Sequence, residues 1–227
     1  MAIAVLLEAS GSFEIPFVGS LSAFRAWATS DGFPERGRID YIDGRIEIDM
    51  SPEELYCHGA IKIELIRVLS QRARELGEGE LFSDRTRVSS PEADLSAEPD
   101  IVFVSDDSLE SGRVREVPKT TGEPDRFVEL EGGPDLIVEI VSDSSVAKDT
   151  QRLPRAYWLA GVAEYWLVDA RGDDLVFQIH RRGAEQFESI GADAEGFLFS
   201  AVLGRRYRLL RHRNRRGRWR FELLASP

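Results

Sequence analysis

The sequence is poor in the residues that carry much covalent and metal chemistry. One cysteine, Cys57, among 227 residues excludes an internal disulfide and suits a reducing compartment. With three histidines beside it, no Cys/His spacing supports a zinc site. No glycine-rich loop joins a strand to a helix, and no Gly-x-Ser-x-Gly elbow is present, so phosphate-cradle and serine-hydrolase readings fall away. No apolar run approaches the ~20 residues of a membrane-spanning helix, and Met1 to Leu7 lacks the basic flank and cleavage region of a signal peptide. A soluble, cytoplasmic protein with no membrane partner is expected. Lysine is nearly absent too, occurring only as Lys62, Lys119 and Lys148, so arginine supplies 26 of the 29 basic residues. Each retained lysine is therefore more informative.

The length suits one well-packed domain, and a large second one would be crowded. A composition of 42% hydrophobic and 30% charged residues is that of a globular protein. The net charge of −11 argues against binding nucleic acid over the whole surface. The charge is uneven, however. Nine arginines and no acidic residue lie between Arg205 and Arg220, interleaved with Tyr207 and Trp219. Arginines beside aromatics can hold phosphates and stack on bases; a hairpin with one charged face is the equal alternative.

Local patterns set the elements. Leu21 to Ala28 is a short amphipathic helix. Alternation in Arg38–Ile42 and Arg45–Asp49 around Asp43-Gly44 predicts a β-hairpin whose acidic residues form a solvated face. Ser51-Pro52-Glu53-Glu54 reads as the start of a helix, with Ser51 as cap and Glu54 closing a capping box. Leu55, Ile61, Leu65, Val68, Leu69 and Leu76 would be its buried stripe, ending near Gly77. Leu81 to Val88 reads as one strand. Ser105 to Gly133 reads as a long excursion holding one strand, Arg126 to Leu130. A helix ending at Gly161 starts near Thr150 to Arg152, because Pro154 is tolerated only in a first turn. Glu164–Asp169 and Leu175–His180 are extended. Tyr207–Arg213 and Arg218–Leu224 pair around Asn214–Gly217. The sum is α/β with a mixed sheet, an N-terminal hairpin and a β-rich basic tail from about residue 185.

The chemistry centres on two apolar strands. Pro134 to Val141 is a continuous Ile/Val-rich run interrupted by Glu139, and an ionised side chain there is costly unless paired, protonated or bound to a metal. Pro99 to Val104 repeats the design with Asp100 at its start. Asp100 and Asp135 each follow a proline at a strand entrance, where a solvated carboxylate is the plain reading. That reading fits Glu139 poorly. Two carboxylates with open coordination positions suit Mg²⁺, with Mn²⁺ as a substitute, which would polarise a phosphoryl oxygen and acidify a bound water. Lys148, nine residues after Glu139, is the candidate cation, against the alternative of a solvated lysine beside Asp149. His58 on the first long helix reads as a core or hydrogen-bonded histidine.

Several segments together resemble the Uma-type family of restriction endonucleases, within the PD-(D/E)xK superfamily with its restriction-endonuclease-like fold. They are Tyr41-Ile42-Asp43-Gly44, Met50-Ser51-Pro52 with His58 behind it, Glu98-Pro99-Asp100, Pro134 to Glu139, and Ala160 to Asp169. The resemblance implies a core sheet flanked by helices, a nuclease core over about residues 38–180, metal ligands at Asp100 and Glu139, and an active-site place for His58. It also exposes a departure: the superfamily's lysine belongs two residues past Glu139, where Val141 stands. In many Uma-type sequences a lysine lies instead near the position of Leu153. Lys148, or Arg152, would have to reach the site from elsewhere. The expectation is a Mg²⁺-dependent DNA endonuclease with catalytic Asp100, Glu139, Lys148 and His58. A homodimer is compatible with it, since two strands need two cuts. The alternative is a catalytically decayed nuclease fold that binds nucleic acid or a protein partner.

Overall fold

The computed structural model describes residues 3–5, 13–16, 18–120 and 123–226; of the Met1 to Leu7 segment, only Ile3–Val5 is among them. That stretch is strand β1 (Ile3–Val5), paired antiparallel with β2 (Phe13–Ile15). Helix α1 (Leu21–Ala28) has the expected bounds, with the Ser20 hydroxyl accepting from the Ala23 amide. Strands β3 (Arg38–Ile42) and β4 (Arg45–Asp49) form the expected hairpin. Both Asp43 (φ 48°) and Gly44 (φ 74°) are left-handed, as a tight two-residue hairpin turn requires.

The following helix departs from expectation. Ser51 to Glu54 is not helical; a π-helical turn, Leu55–Gly59, opens the helix and α2 (Ala60–Leu76) continues it to Gly77. The cap is Glu54, whose carboxylate accepts from the Tyr56 and Cys57 amides, and not Ser51. The wide turn also breaks the 3.6-residue period, so Leu55 is 74% exposed while Ile61, Leu65 and Leu69 are fully buried.

Leu81 to Val88 is two strands in two sheets, β5 (Gly79–Ser83) and β6 (Arg87–Ser90), separated where Asp84 and Arg85 are both left-handed. Next come β7 (Leu95–Ala97), β8 (Ile101–Ser105), α3 (Asp106–Glu110), β9 (Val114–Pro118) and β10 (Phe127–Gly132), so the excursion is more ordered than its composition suggests. Strand β11 (Leu136–Ile140) carries Glu139. A second π-helical turn, Lys148–Arg152, leads into α4 (Leu153–Ala160). Pro154 is the second residue of α4, directly after the π-helical turn, and the helical stretch begins at Val146, earlier than the expected start near Thr150 to Arg152. Strands β12 (Glu164–Asp169), β13 (Val176–Arg182), β14 (Phe187–Ser189), β15 (Leu198–Ser200), β16 (Arg205–Arg213) and β17 (Trp219–Ser226) complete the order.

The central mixed sheet runs β14-β13-β12-β11-β8-β5, with β11 and β12 its parallel pair. A second six-stranded sheet, β4-β3-β7-β6-β10-β9, is an element the sequence reading did not separate. The central sheet is covered on both faces, which explains the unbroken apolar run of β11. One face, with Leu136, Val138, Ile140, Ile101 and Phe103, packs on α2 and on Tyr207, Leu209, Phe221 and Leu223 of the tail. The other, with Ile137, Val141, Val102 and Val104, packs on Tyr157 of α4 and on Ile42 and Val88 of the second sheet. Each fully buried aliphatic side chain contributes about 1.5–3 kcal/mol, so these two layers are the main source of stability. By the two-residue period, Asp100 and Glu139 belong to the second face. They therefore point between the sheets. No helix of the described residues is long and apolar enough to cross a membrane, which says nothing of β-barrels.

Candidate active site

Asp100 and Glu139 are neighbours across β8 and β11. The antiparallel register pairs Ile101 with Val138, so the next positions face each other, and the Ile140 amide donates to Asp100 Oδ2 at 2.8 Å. Both residues are wholly buried. Burial rules out the solvated reading for Asp100. Nor is Asp135 simply solvated: only partly exposed before β11, it accepts from the Ser105 amide and the Ser108 hydroxyl and pairs with Arg113.

Asp100 is surrounded by cations. Arg38 Nη2 donates to Oδ1 at 2.8 Å, Lys62 Nζ lies 3.3 Å from the same oxygen, and His58 Nε2 is 3.4 Å from Oδ2. Burial alone would raise its pKa, but Arg38, His58 and Lys62 hold it far below the ordinary carboxylate range. Glu139 is the opposite case. Tyr157 donates to its Oε1 at 2.6 Å, whereas Oε2 has no hydrogen-bond partner and only Arg38 Nη1 nearby, at 3.9 Å. Burial, then the neighbouring Asp149 and Asp100, push its pKa well up.

Lys148 is not a solvated surface lysine. It is buried, with Nζ donating to Asp40 Oδ2 at 2.9 Å. Burial works against its charge, but Asp40 and Glu139 keep it firmly protonated. Asp40 is 1% exposed and also accepts from the Glu98 amide, so the hairpin's acidic residues are not a uniformly solvated face. Arg152 points elsewhere, to Glu47. His58 sits between two carboxylates, Nδ1 at 2.6 Å from Glu53 and Nε2 toward Asp100. Ionised carboxylates only accept, so a carboxylate on each side favours the doubly protonated imidazolium. Burial opposes the imidazolium, but Asp100 and Glu53 raise its pKa overall. That favours orienting Asp100 over abstracting a proton. His58 is thus no core histidine of the apolar kind.

The structure adds Arg38, Asp40, Lys62 and Asp149 to the four residues singled out from sequence. Lys62 carried a usable signal: it is one of three lysines and stands four residues after His58, on the same helix face. Asp149 is 1% exposed; Ser145 donates to Oδ2, while Oδ1 has no partner. Burial raises its pKa to about 6 against the pull of Lys148. A cleft of about 320 Å³, lined by Arg38, Asp49, Glu53, His58, Lys62 and Glu98 among others, opens beside this cluster. A cavity of about 770 Å³ lies instead against α4 and is lined by Trp158, Tyr165, His180 and Phe187, with none of Asp40, Asp100, Glu139 and Asp149 in its wall.

These shifts predict the pH dependence of the metal-free protein. A carboxyl whose folded pKa is raised costs stability above its ordinary pKa, so stability grows as pH falls through about 6. A histidine with a raised pKa adds stability below its ordinary pKa and loses it as pH rises. Asp100, shifted down, loses its contribution only in strong acid. Thermal denaturation in chelator should therefore give a higher Tm at pH 5.5 than at pH 8. The rise at Asp149 from 3.8 to about 6 corresponds to on the order of 3 kcal/mol. Asp149→Asn should flatten the profile around pH 6; an unchanged profile would disprove that assignment.

Asp100 and Glu139 offer the oxygen-donor chemistry that a divalent cation takes. Two carboxylates, one with an unpartnered buried oxygen, are what Mg²⁺ takes when it keeps waters and binds substrate phosphate. Among the described residues no group of three or more His, Cys, Asp or Glu is arranged to hold a metal ion.

The basic tail lies along α2. The Leu223 amide donates to Glu64, and the Arg218 guanidinium lies 5.8 Å from the Tyr56 ring, beside the turn that carries His58. Trp219 is flanked by Arg211 at 4.3 Å and Arg213 at 3.8 Å. Arg213, Arg215, Arg216, Arg218 and Arg220 are exposed around the turn.

Comparison with solved structures finds the same fold in a protein from Anabaena variabilis described as a "putative nuclease belonging to DUF820". It is 19% identical, with a TM-score of 0.59, covering 82% of this chain and 90% of that one. No curated protein matches. The model of the Uma2 family, described as "Putative restriction endonuclease", matches residues 21–201, well over half of the sequence. On that match, the chain belongs to the Uma2 family.

Proposed function

We propose that this protein is a metal-dependent endonuclease that hydrolyses DNA phosphodiester bonds. The observation that carries the reading is the pair Asp100 and Glu139, adjacent on two strands and wholly buried, with a Glu139 oxygen that no protein group satisfies. Family membership supports it. Asp100 and Glu139 would hold Mg²⁺, or Mn²⁺ in its place. When bound, such an ion supplies polarisation of a phosphoryl oxygen and a more acidic water. The protein's own residues do the rest. Lys148, held charged beside Asp40, contributes positive potential where the pentavalent phosphate gathers negative charge. His58 and Lys62 fix Asp100 in its ionised form. The exposed arginines near Tyr56 offer the backbone contacts that a protein of net charge −11 otherwise lacks.

Incubation of supercoiled plasmid with Mg²⁺ or Mn²⁺ tests the proposal. Nicking that chelator abolishes, and that weakens steeply with salt, is expected. Absence of metal-dependent cleavage on supercoiled, linear and single-stranded DNA would leave the other reading, a nuclease-fold scaffold that binds without cutting.

A further inference from the structure

We propose that Arg38 is the resident counter-cation of the two-carboxylate site, that a divalent ion must displace its guanidinium, and that the released guanidinium passes to a nucleic-acid phosphate. The inference rests on the metal-site reading above and adds a coupling between metal and substrate.

Arg38 spans both candidate ligands, with Nη2 at 2.8 Å from Asp100 Oδ1 and Nη1 at 3.9 Å from Glu139 Oε2. The longer distance is beyond a hydrogen bond, so Arg38 offers Glu139 charge without satisfying its oxygen. Arg38 enters from β3 of the second sheet, across the gap into which both carboxylates point. It is also the cation best placed to move. Its side chain is 23% exposed, against 8% for Lys62 and 7% for Lys148. Lys62 is tied to Glu53 and Asp84, and Lys148 to Asp40. Arg38 lines the open cleft, where Asp49 and Glu98 stand as alternative partners.

A divalent ion on Asp100 and Glu139 would contend with the guanidinium for the same two oxygens, and two like charges about 4 Å apart repel strongly in a partly buried site. Metal binding therefore carries the cost of moving Arg38. A phosphodiester in the cleft offsets it, because a guanidinium binds phosphate through two parallel hydrogen bonds. Metal and nucleic acid then bind with positive cooperativity, and each tightens the other by the same factor.

Mn²⁺ binding, followed by electron paramagnetic resonance of the free ion, reads this without turnover. The proteins compared are wild type, Arg38→Gln, Arg38→Lys and Glu139→Gln, each with and without a phosphorothioate oligonucleotide that resists cleavage. Wild type should bind weakly alone and about tenfold or more tighter with the oligonucleotide. Arg38→Gln should bind about tenfold tighter than wild type with no oligonucleotide, and gain little from adding it. Arg38→Lys, which keeps the charge but not the two parallel hydrogen bonds, should bind Mn²⁺ as weakly as wild type without the oligonucleotide and gain less from adding it. Equal or weaker Mn²⁺ binding by folded Arg38→Gln, with binding still lost in Glu139→Gln, would overturn the displacement and leave the metal site standing. No Mn²⁺ binding sensitive to Glu139→Gln in either protein would overturn the metal site and this inference together.

Discussion

Glu139→Gln is expected to remove metal-dependent nicking by about 10³-fold or more while leaving a protein at least as stable as wild type. The two halves of that result have one cause. Glu139 lies in a strand buried on both faces, where ionisation is opposed by burial, Asp149 and Asp100. A neutral isostere keeps an acceptor for the Tyr157 hydroxyl and removes the stability cost that the raised pKa of Glu139 imposes on the metal-free fold. It also removes the anion that a divalent ion requires. Activity should vanish as Tm stays level or rises, the usual sign of a group retained for chemistry at the expense of stability. Plasmid nicking and calorimetry on the same preparation check it. Full nicking by Glu139→Gln would remove Glu139 from the site, and a large fall in Tm would mean that its charge is structural.

Asp100→Asn should behave in the reverse manner on stability. Asp100 is the anion on which Arg38, Lys62 and His58 converge. Its amide isostere can still accept from the Ile140 amide, but it then turns an NH2 donor toward Arg38 and Lys62, so the charge and one acceptor are lost together. Leaving buried cations without their shared partner typically costs about 3–5 kcal/mol. For a chain of this size that is a fall in Tm of roughly 10 °C. Nicking should be lost as well. Equal stability of Asp100→Asn and wild type in chelator would show that the cations find other partners, with Glu53 and Asp84 the available ones for Lys62. The contrast is the sharper test: of two adjacent carboxylates on one face, one supports the fold and the other strains it.

What sequence could reveal of this arrangement follows from which interactions are local. Glu139 is legible because an acidic residue inside an Ile/Val strand is anomalous by itself. The hairpin at Asp43-Gly44 and the pairing across Asn214–Gly217 are legible because a tight turn fixes its own strands. Asp40 was misread for the opposite reason. Alternation shows which residues share a face, but only the packing of one sheet on another decides that this face is covered, and its partner Lys148 is 108 residues away. The break at Asp84-Arg85 is not legible in sequence because both flanks have strand character, while the strands that separate them into two sheets, β8 beside β5 and β10 beside β6, lie farther along the chain. Leu55 was placed in the core because a regular helical period was extended through a turn that is not α-helical.

Those wide turns have a consequence of their own. A π-helical turn holds one residue more than the α-helical turn it replaces. Leu55–Gly59 and Lys148–Arg152 therefore act as single-residue insertions placed just ahead of α2 and α4. Each rotates the side chains upstream of it by about 100° relative to the helix that follows. His58, Lys148 and Asp149 lie within the inserted turns, while Ile61, Leu65, Ala156 and Tyr157 lie beyond them. His58, Lys148 and Asp149 are thus aimed by the turns, whereas Lys62 and Tyr157 reach the cluster from the regular helices themselves. Deleting one residue from either turn would restore an unbroken α-helix, keep its buried stripe in register, and swing its polar side chains away from Asp100 and Glu139.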